Sequence, residues 1–232
     1  MDYAAFEALT FDCYGTLIDW ERGLLEAARP ILAAHGASAG DDDLLEAYAR
    51  HEAALEAGPY APYREVVGSA LIGVGADLGF APSDDEAEAF ATAVGAWPPF
   101  ADSPEALRRL ATRYRLGVIT NCDDDLFARS ARQLGVAFDE VVTAQQAEAY
   151  KPRPDGFALM LERLALPRER VLHVAQSLFH DHVPAKALGL ATVWIDRRQG
   201  RSGSGATPPA EAAPDAVFPD LASFAAAAVP EA

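Results

Sequence analysis

A carboxylate stands at the end of a short apolar run near the start of the chain. Residues 9–11 lead into Asp12, and a turn containing Gly15 and Thr16 follows. This pattern predicts a β-strand that delivers Asp12 to its carboxyl edge, where open α/β sheets bind their ligands. A carboxylate presented at that edge can serve as a covalent nucleophile. The alternative is a loop aspartate that caps the following helix.

Two further stretches place polar groups after predicted strands. Thr120 and Asn121 follow the run 117–119, and Lys151 begins a Lys-Pro-Arg-Pro loop. Thr120 and Asn121 could simply cap a helix, and Lys151 could be a solvated loop residue. An ammonium beside Asp12 would keep that carboxylate ionised, so Lys151 is expected to depress the pKa of Asp12.

The run 173–182 carries the last group of polar residues. It contains Ser177, His180, Asp181 and His182. Two histidines suggest a metal, but the His-Asp-His run has no supporting Cys or His cluster, so a hydrogen-bonding or proton-handling role is favoured.

Together these stretches resemble the motifs of the haloacid dehalogenase-like hydrolase superfamily, in which the Asp of a D-x-x-G-T run is a covalent nucleophile. The resemblance covers nearly the whole chain. It implies an enzyme whose catalytic residues are Asp12, Thr16, Lys151, Ser177 and Asp181.

Departures from the superfamily's phosphatase pattern favour one reaction class. Phosphatases carry a second acid two residues after the nucleophile and an acidic pair in the last motif, but this chain has Tyr14 and Gln176 there. Mg²⁺, which prefers several oxygen ligands, would therefore retain few carboxylates. A magnesium-dependent phosphatase acting on a small phosphomonoester remains the alternative enzyme, and a non-catalytic protein on a degenerate fold is a third reading.

The D-x-Y-G-T form is similar to that of the L-2-haloacid dehalogenases, which work without a metal or other cofactor. The run 11–21 and the run 177–182 also resemble those of an L-azetidine-2-carboxylate hydrolase. Phe157 departs from the Tyr that the dehalogenases carry at this point. These resemblances imply that Asp12 displaces a halide or a strained ring nitrogen at C2 of a small carboxylic acid and forms an aspartyl ester. Water activated near Asp181, and positioned by Ser177 or Lys151, would then hydrolyse that ester.

The same resemblance implies a set of substrate-binding residues. Arg50 matches the dehalogenase arginine that holds the substrate carboxylate, because a guanidinium binds a carboxylate bidentately. Its alternative is a surface arginine, and the aromatic residues could be simple core. The substrate-binding set is Tyr14, Arg50, Tyr63, Thr120, Asn121 and Phe179.

The elements that position these residues follow from the apolar pattern. Helical periodicity without a convincing strand fills residues 21–97, and strands then alternate with helices. The expected fold is α/β: a Rossmann-like parallel-sheet core (1–20 and 98–232) with a small all-helical cap (21–97) inserted after the first strand. Helices are expected at 23–34 (kinked or restarted by Pro30), from 41, at 63–78, from 83 to about 97, 103–114, 123–134, 155–164, 181–188 and 221–228, and strands at 116–120, 140–143, 171–175, 192–196 and 216–218, with a flexible loop at 199–209.

Composition limits the partners. The chain of 232 residues has a net charge of −16, which argues against nucleic acids and anionic membranes. No long apolar segment and no signal-peptide pattern is seen, which predicts a cytoplasmic protein. Cys13 and Cys122 follow predicted strand ends, so both are expected near the site as reduced thiols. A homodimer is expected only by analogy with the dehalogenases.

Overall fold

A six-stranded parallel sheet forms the centre of the computed structural model, which describes residues 1–200 and 205–230. The strand order is β3-β2-β1-β4-β5-β6. The strands are β1 (Ala8–Phe11), β2 (Arg115–Thr120), β3 (Glu140–Thr143), β4 (Val171–Ala175), β5 (Ala191–Ile195) and β6 (Ala216–Phe218). Strands β2 and β3 are added on one side of β1, and β4, β5 and β6 on the other. β1 therefore lies at a topological switch point.

Four consecutive α-helices separate β1 from the rest of the sheet. They are α1 (Trp20–Ala34), α2 (Asp41–Glu56), α3 (Tyr63–Leu78) and α4 (Asp84–Ala93), and a 3₁₀ turn (Val94–Ala96) follows. We call residues 20–96 the helical insert. Pro30 lies inside α1, which runs unbroken to Ala34, so the expected restart of this helix is wrong. The Ser83–Glu86 capping box is present at the start of α4.

Helices cover the sheet between the later strands. They are α5 (Ser103–Ala111), α6 (Asp124–Leu134), α7 (Ala144–Ala147), α8 (Asp155–Leu164), α9 (Val183–Ala187) and α10 (Leu221–Ala228), with 3₁₀ turns at Tyr3–Ala5 and Arg168–Arg170 and a π-helical turn at Leu178–His182. The predicted α/β architecture with a parallel sheet is confirmed. Among these described helices, none has the length and apolar character to cross a membrane.

Differences from the sequence-based bounds are small at most ends. The strand expected at 192–196 runs one residue earlier, and the helix expected at 181–188 is divided into the π-helical turn and α9. Pro184 at the start of α9 is compatible with this break, because proline is tolerated in the first turn of a helix. Part of the loop expected at 199–209 falls outside the described residues.

Candidate active site

The nucleophile candidate lies directly after the central strand. Asp12 follows β1, and its backbone N–H donates to the Val174 carbonyl on the neighbouring strand β4. Gly15 has φ of +93°, and a Cβ there would come within 3.0 Å of the Trp20 indole nitrogen. The turn therefore needs glycine, and it brings Thr16 back toward Asp12.

Both carboxylate oxygens of Asp12 are held by hydrogen bonds. Lys151 Nζ donates to Oδ1 at 2.8 Å, and the Thr16 hydroxyl donates to Oδ2 at 2.6 Å. The Gln176 backbone N–H in turn donates to Thr16 Oγ1 at 2.9 Å. Asp12 is only 6% exposed. The carboxylate is thus fixed in one orientation at the edge of the sheet.

Lys151 is a buried ammonium with three acceptors. Besides Asp12 Oδ1, it donates to Asp181 Oδ1 at 2.7 Å and to the Ile119 carbonyl at 3.0 Å. Burial alone would lower the pKa of Lys151, but the two carboxylates raise it above its ordinary value. Because an ammonium has three protons, these contacts use its full donor capacity.

Asp181 lies at the start of a second chain of hydrogen bonds. Its Oδ1 also contacts His173 Nε2 at 3.0 Å, and His173 Nδ1 contacts the Thr10 hydroxyl at 2.9 Å. Burial alone would raise the pKa of Asp181, but Lys151 and His173 hold it well below the usual range. Asp181 Oδ2 is buried and meets no hydrogen-bond donor among the described residues. This oxygen is available to accept a hydrogen bond from water.

The ionisation of Asp12 differs from the sequence-based expectation. Burial, together with the Asp181 carboxylate, raises the pKa of Asp12, although Lys151 and Thr16 lower it. The expected depression by Lys151 is therefore outweighed by burial. The ammonium still persists at neutral pH, because its own pKa is raised, and it provides Asp12 with a counter-ion.

A small cavity opens on Asp12 between the sheet edge and the helical insert. Eight of the predicted site residues line it, and they are Asp12, Tyr14, Tyr63, Thr120, Asn121, Lys151, Ser177 and Asp181. Thr16 lies behind the nucleophile and contacts it directly. Arg50 and Phe179 do not line the cavity.

The helical insert contributes two carboxyl groups that the sequence analysis missed. Glu52 and Glu56 lie on α2, line the cavity, and are 4% and 9% exposed. Glu52 Oε1 accepts from the Tyr48 hydroxyl at 2.9 Å and from the Tyr63 hydroxyl at 2.8 Å. Burial raises the pKa of Glu52 to about 7, although the tyrosine hydroxyls lower it. Burial and the neighbouring Glu52 raise the pKa of Glu56 well above its ordinary value.

A helical-phase signal could have identified these two residues. Positions 48, 52 and 56 are spaced by four, so they lie on one face of a helix. Leu45 and Tyr48 mark that face as buried. Carboxylates on an apolar face are unusual unless they are paired or functional.

Asn121 and Thr120 differ in the donors they offer to the cavity. Asn121 Nδ2 donates to Glu56 Oε2 at 3.1 Å and to the Lys151 carbonyl at 3.1 Å, which uses both of its amide hydrogens. Asn121, which the resemblance places in the substrate-binding set, thus has no amide hydrogen left to donate to a substrate in this arrangement. Thr120 Oγ1 is buried without a hydrogen-bond partner in the described structure.

Ser177 and His180 form a polar pair at the π-helical turn. Ser177 Oγ accepts from the His180 backbone N–H at 2.9 Å and lies 3.2 Å from His180 Nδ1. Burial lowers the pKa of His180 to about 4, so its imidazole is neutral at pH 7. His182 Nε2 contacts the Ala175 carbonyl at 3.0 Å, which anchors the turn to β4.

The predicted aromatic residues have different environments. The Tyr14 hydroxyl lies 3.0 Å from Ser130 Oγ, and the Tyr63 hydroxyl is bonded to Glu52. Phe179 stacks edge-on against His180 with ring centroids 4.9 Å apart. His180 lines the cavity and Phe179 does not, so the substrate contact of Phe179 stays a prediction. Cys13 and Cys122 are buried free thiols.

The structure corrects the position expected for Arg50. Its guanidinium donates to Asp77 Oδ2 at 2.7 Å, and its side chain is 64% exposed. Arg50 is two residues from Glu52, so it points to nearly the opposite face of α2. This placement supports the alternative that Arg50 is a surface residue.

Replacement of Arg50 by Ala is therefore expected to change kcat/KM by less than about threefold, because an exposed ion pair contributes little. The measurement is steady-state kinetics on the 2-substituted carboxylic acids that the resemblance implies as substrates. Asp77→Asn, which removes the other half of the pair, should behave alike. A loss above about tenfold in Arg50→Ala alone would restore Arg50 to the substrate site.

The raised pKa of Glu52 has a consequence for stability. A carboxyl group with a pKa near 4.5 in the unfolded chain and about 7 in the folded protein binds its proton more tightly when folded. It contributes ~3 kcal/mol that is present at low pH and lost as the pH rises through 7. We expect the free energy of unfolding to fall between about pH 5 and about pH 8.5, and to fall less in Glu52→Gln.

Urea denaturation at the two pH values measures this difference. Glu46→Gln is the matched control, because Glu46 lies on the same helix but is exposed. If wild type and Glu52→Gln lose the same free energy of unfolding between the two pH values, Glu52 is ionised at both of them.

The residues at this edge fit Mg²⁺ poorly. Asp12 Oδ1 and Asp181 Oδ1 share the Lys151 ammonium, and Tyr14 and Gln176 supply no third or fourth carboxylate. A hard dication needs several oxygen ligands. Within residues 1–200 and 205–230, no group of three or more His, Cys, Asp or Glu side chains is arranged to hold a metal ion.

Comparisons with known proteins identify the family and agree with the fold. A family model described as haloacid dehalogenase-like hydrolase matches residues 6–187. An (S)-2-haloacid dehalogenase of Xanthobacter autotrophicus is 28% identical, over 82% of this chain and 75% of the relative. One from Pseudomonas fluorescens is 24% identical, over 84% of this chain and 86% of the relative.

A solved structure has the same fold. The L-2-haloacid dehalogenase from Xanthobacter autotrophicus with chloropropionic acid covalently bound superposes with a TM-score of 0.80 at 21% identity. The match covers 98% of this chain and 100% of the other.

Proposed function

The chain belongs to the haloacid dehalogenase-like hydrolase family, and we propose that it hydrolyses a small 2-substituted carboxylic acid by nucleophilic displacement at C2. The observation that carries this proposal is the fixed Asp12 carboxylate, held by Lys151 and Thr16 at the floor of a small cavity. Under this proposal the helical insert serves as a cap that excludes water from the cavity.

In the first step, an Asp12 oxygen attacks C2 and the bond from C2 to the leaving group breaks. The product of this step is an ester between Asp12 and the substrate carbon. Exclusion of water favours the attack, because a poorly solvated carboxylate is a better nucleophile. The Thr120 hydroxyl, which is without a partner among the described residues, can donate to the bound substrate or to the ester.

In the second step, water attacks the carbonyl carbon of that ester and releases a 2-hydroxy acid. Asp181 Oδ2 is the acceptor that can orient this water, and Ser177 lines the same cavity. Lys151 remains hydrogen-bonded to Asp12 and can stabilise the negative charge that develops on its oxygen. Asp12 is regenerated, and the proposal includes no resident cofactor.

The relatives support this reaction type. Both are named (S)-2-haloacid dehalogenase, and the solved dehalogenase holds chloropropionic acid covalently. A halide is one possible leaving group. A strained ring nitrogen is another, because runs 11–21 and 177–182 resemble those of an L-azetidine-2-carboxylate hydrolase. The proposal places the reaction in the cytoplasm.

A single-turnover experiment in H₂¹⁸O, with enzyme in excess, tests the covalent step. Water attacks the Asp12 carboxyl carbon in our scheme, so ¹⁸O should appear in the peptide that contains Asp12 and not in the first-turnover product. The substrates are 2-halo acids, azetidine-2-carboxylate and phosphate esters, each assayed with and without EDTA. Label in the product after one turnover would contradict the ester intermediate. Turnover of phosphate esters that EDTA abolishes would replace the proposal with the phosphatase alternative.

A further inference from the structure

His173 is a fully buried imidazole in the middle of the central strand β4. The strand register pairs it with Thr10 on β1, and its ring packs edge-on against Phe157 of α8, with ring centroids 5.0 Å apart. A buried polar side chain costs free energy unless its polar atoms are hydrogen-bonded, and both ring nitrogens of His173 have a partner. The imidazole is thus held in one place within the sheet.

The two ring nitrogens of His173 face different partners. Nε2 lies 3.0 Å from Asp181 Oδ1, and Nδ1 lies 2.9 Å from the Thr10 hydroxyl oxygen. Burial raises the pKa of Asp181, but Lys151 and His173 hold it below its ordinary value, so this carboxylate is ionised and can only accept hydrogen bonds. Nε2 therefore carries a hydrogen and donates it to Asp181. In the neutral ring, Nδ1 accepts from the Thr10 hydroxyl, and Thr10 thereby favours the tautomer that donates to Asp181.

Asp181 Oδ1 accepts two hydrogen bonds from separate parts of the chain. Lys151 Nζ donates from the loop before α8 at 2.7 Å, and His173 Nε2 donates from β4 at 3.0 Å. A carboxylate with one donor can turn about that contact, whereas a second donor restricts the turn. Asp181 Oδ2 is buried and has no donor among the described residues. The two donors on Oδ1 therefore set the direction in which Oδ2 is presented.

We propose that His173 is a positioning residue for the second step, in which it fixes the Asp181 carboxylate so that Oδ2 holds the water that hydrolyses the Asp12 ester. This inference rests on the proposed two-step displacement and is independent of the group that leaves in the first step. In the hydrolysis, the water oxygen bonds to the ester carbonyl carbon, and the bond from that carbon to the product oxygen breaks with its electron pair on oxygen. One proton of the water ends on the product hydroxyl, and the regenerated Asp12 carboxyl releases the other.

The two steps depend on His173 to different degrees. Lys151 and Thr16 hold the attacking Asp12 carboxylate directly, and these two contacts do not involve the imidazole. The water of the second step is instead oriented by Asp181 Oδ2, whose direction His173 helps to set. Loss of the Nε2 donor should therefore slow hydrolysis of the ester more than its formation, so the ester accumulates.

Two amide substitutions separate the roles of the ring nitrogens. A glutamine amide reaches about as far as Nε2 and an asparagine amide about as far as Nδ1, so only His173→Gln can keep the donor to Asp181. With (S)-2-chloropropionate and with L-azetidine-2-carboxylate, His173→Asn should slow ester hydrolysis by at least about tenfold and leave ester formation within about threefold. His173→Gln should keep both rates within about threefold of wild type. His35→Asn, at a partly exposed histidine paired with Glu86, should leave both within about twofold.

Rapid quenching and mass spectrometry of the peptide that contains Asp12 measure the formation and decay of the ester. Thr10→Val covers the case in which changes at position 173 prevent folding. Valine has nearly the shape of threonine and suits a strand, but it lacks the hydroxyl that orients the ring of His173. This variant should slow ester hydrolysis by at least about threefold and leave ester formation unchanged.

Three results would overturn the role of His173. They are unchanged ester hydrolysis in His173→Asn or in Thr10→Val, an equal slowing of both steps in either variant, and hydrolysis as slow in His173→Gln as in His173→Asn. Equal slowing would indicate a general loss of packing instead of a loss of orientation. Failure of wild type to form the Asp12 ester with either substrate would instead overturn the proposed function, and this outcome is read from wild type alone.

Discussion

Asp12→Asn should reduce kcat by at least about a thousandfold while the fold stays intact. An amide is nearly the same size as the carboxylate but is a poor nucleophile, so the first step is lost. Lys151 can still donate to the amide oxygen, and the Thr16 hydroxyl can accept from the amide nitrogen, so local geometry is largely kept. Steady-state and single-turnover kinetics measure the loss, and circular dichroism reports the fold.

Asp43→Asn provides the comparison for this variant. Asp43 is an exposed aspartate in the first turn of α2, and the same substitution there should leave kcat within about twofold. Retention of more than a few per cent of the wild-type rate by Asp12→Asn would remove Asp12 from the nucleophilic role.

Lys151→Met should abolish activity and also destabilise the protein by ~3–5 kcal/mol at neutral pH, because it leaves two buried carboxylates without their cation. The deficit relative to wild type should shrink as the pH falls. Removal of Lys151 raises the pKa of both carboxyl groups, and once they are protonated no cation is needed. Urea denaturation near neutral pH and at about pH 5 gives the two values.

The chain offers a close comparison for this change. Lys186 is its only other lysine, and it forms a partly exposed pair with Asp215 at 2.7 Å. Lys186→Met should cost less than about 1 kcal/mol and retain activity. If Lys151→Met fails to fold, Lys151→Arg keeps the charge but has the wrong shape, and it should fold with strongly reduced kcat. Wild-type stability in Lys151→Met would contradict the structural role of this ammonium.

The residues of the sheet edge could be predicted because one geometric rule places them. Asp12 and Thr120 end neighbouring parallel strands, and the carboxyl ends of parallel strands meet at the same edge. Lys151 lies in a loop and Asp181 in the π-helical turn, so strand geometry alone does not fix the direction of either side chain, and their prediction needed the resemblance as well. All four meet at the cavity.

The face of α2 could not be predicted in the same way. The sequence indicated a helix there, but a helix can be rotated about its axis, and Arg50 was placed inward by analogy. The structure turns Tyr48, Glu52 and Glu56 inward instead. The charge of a residue was a poor guide to which side of α2 faces inward, because a buried carboxyl group can keep its proton and so be neutral. The spacing of four residues from Tyr48 was the better signal.

The two carboxyl groups on α2 come from a different part of the chain than the residues at the sheet edge. Asp12, Lys151 and Asp181 lie at the sheet edge, whereas Glu52 and Glu56 belong to one short helical stretch, residues 45–56. The part of the cavity wall that α2 supplies is thus encoded in a different stretch of sequence from the groups that hold Asp12. A mutant library restricted to this stretch would change the lining of the cavity while it leaves Asp12, Lys151 and Asp181 intact.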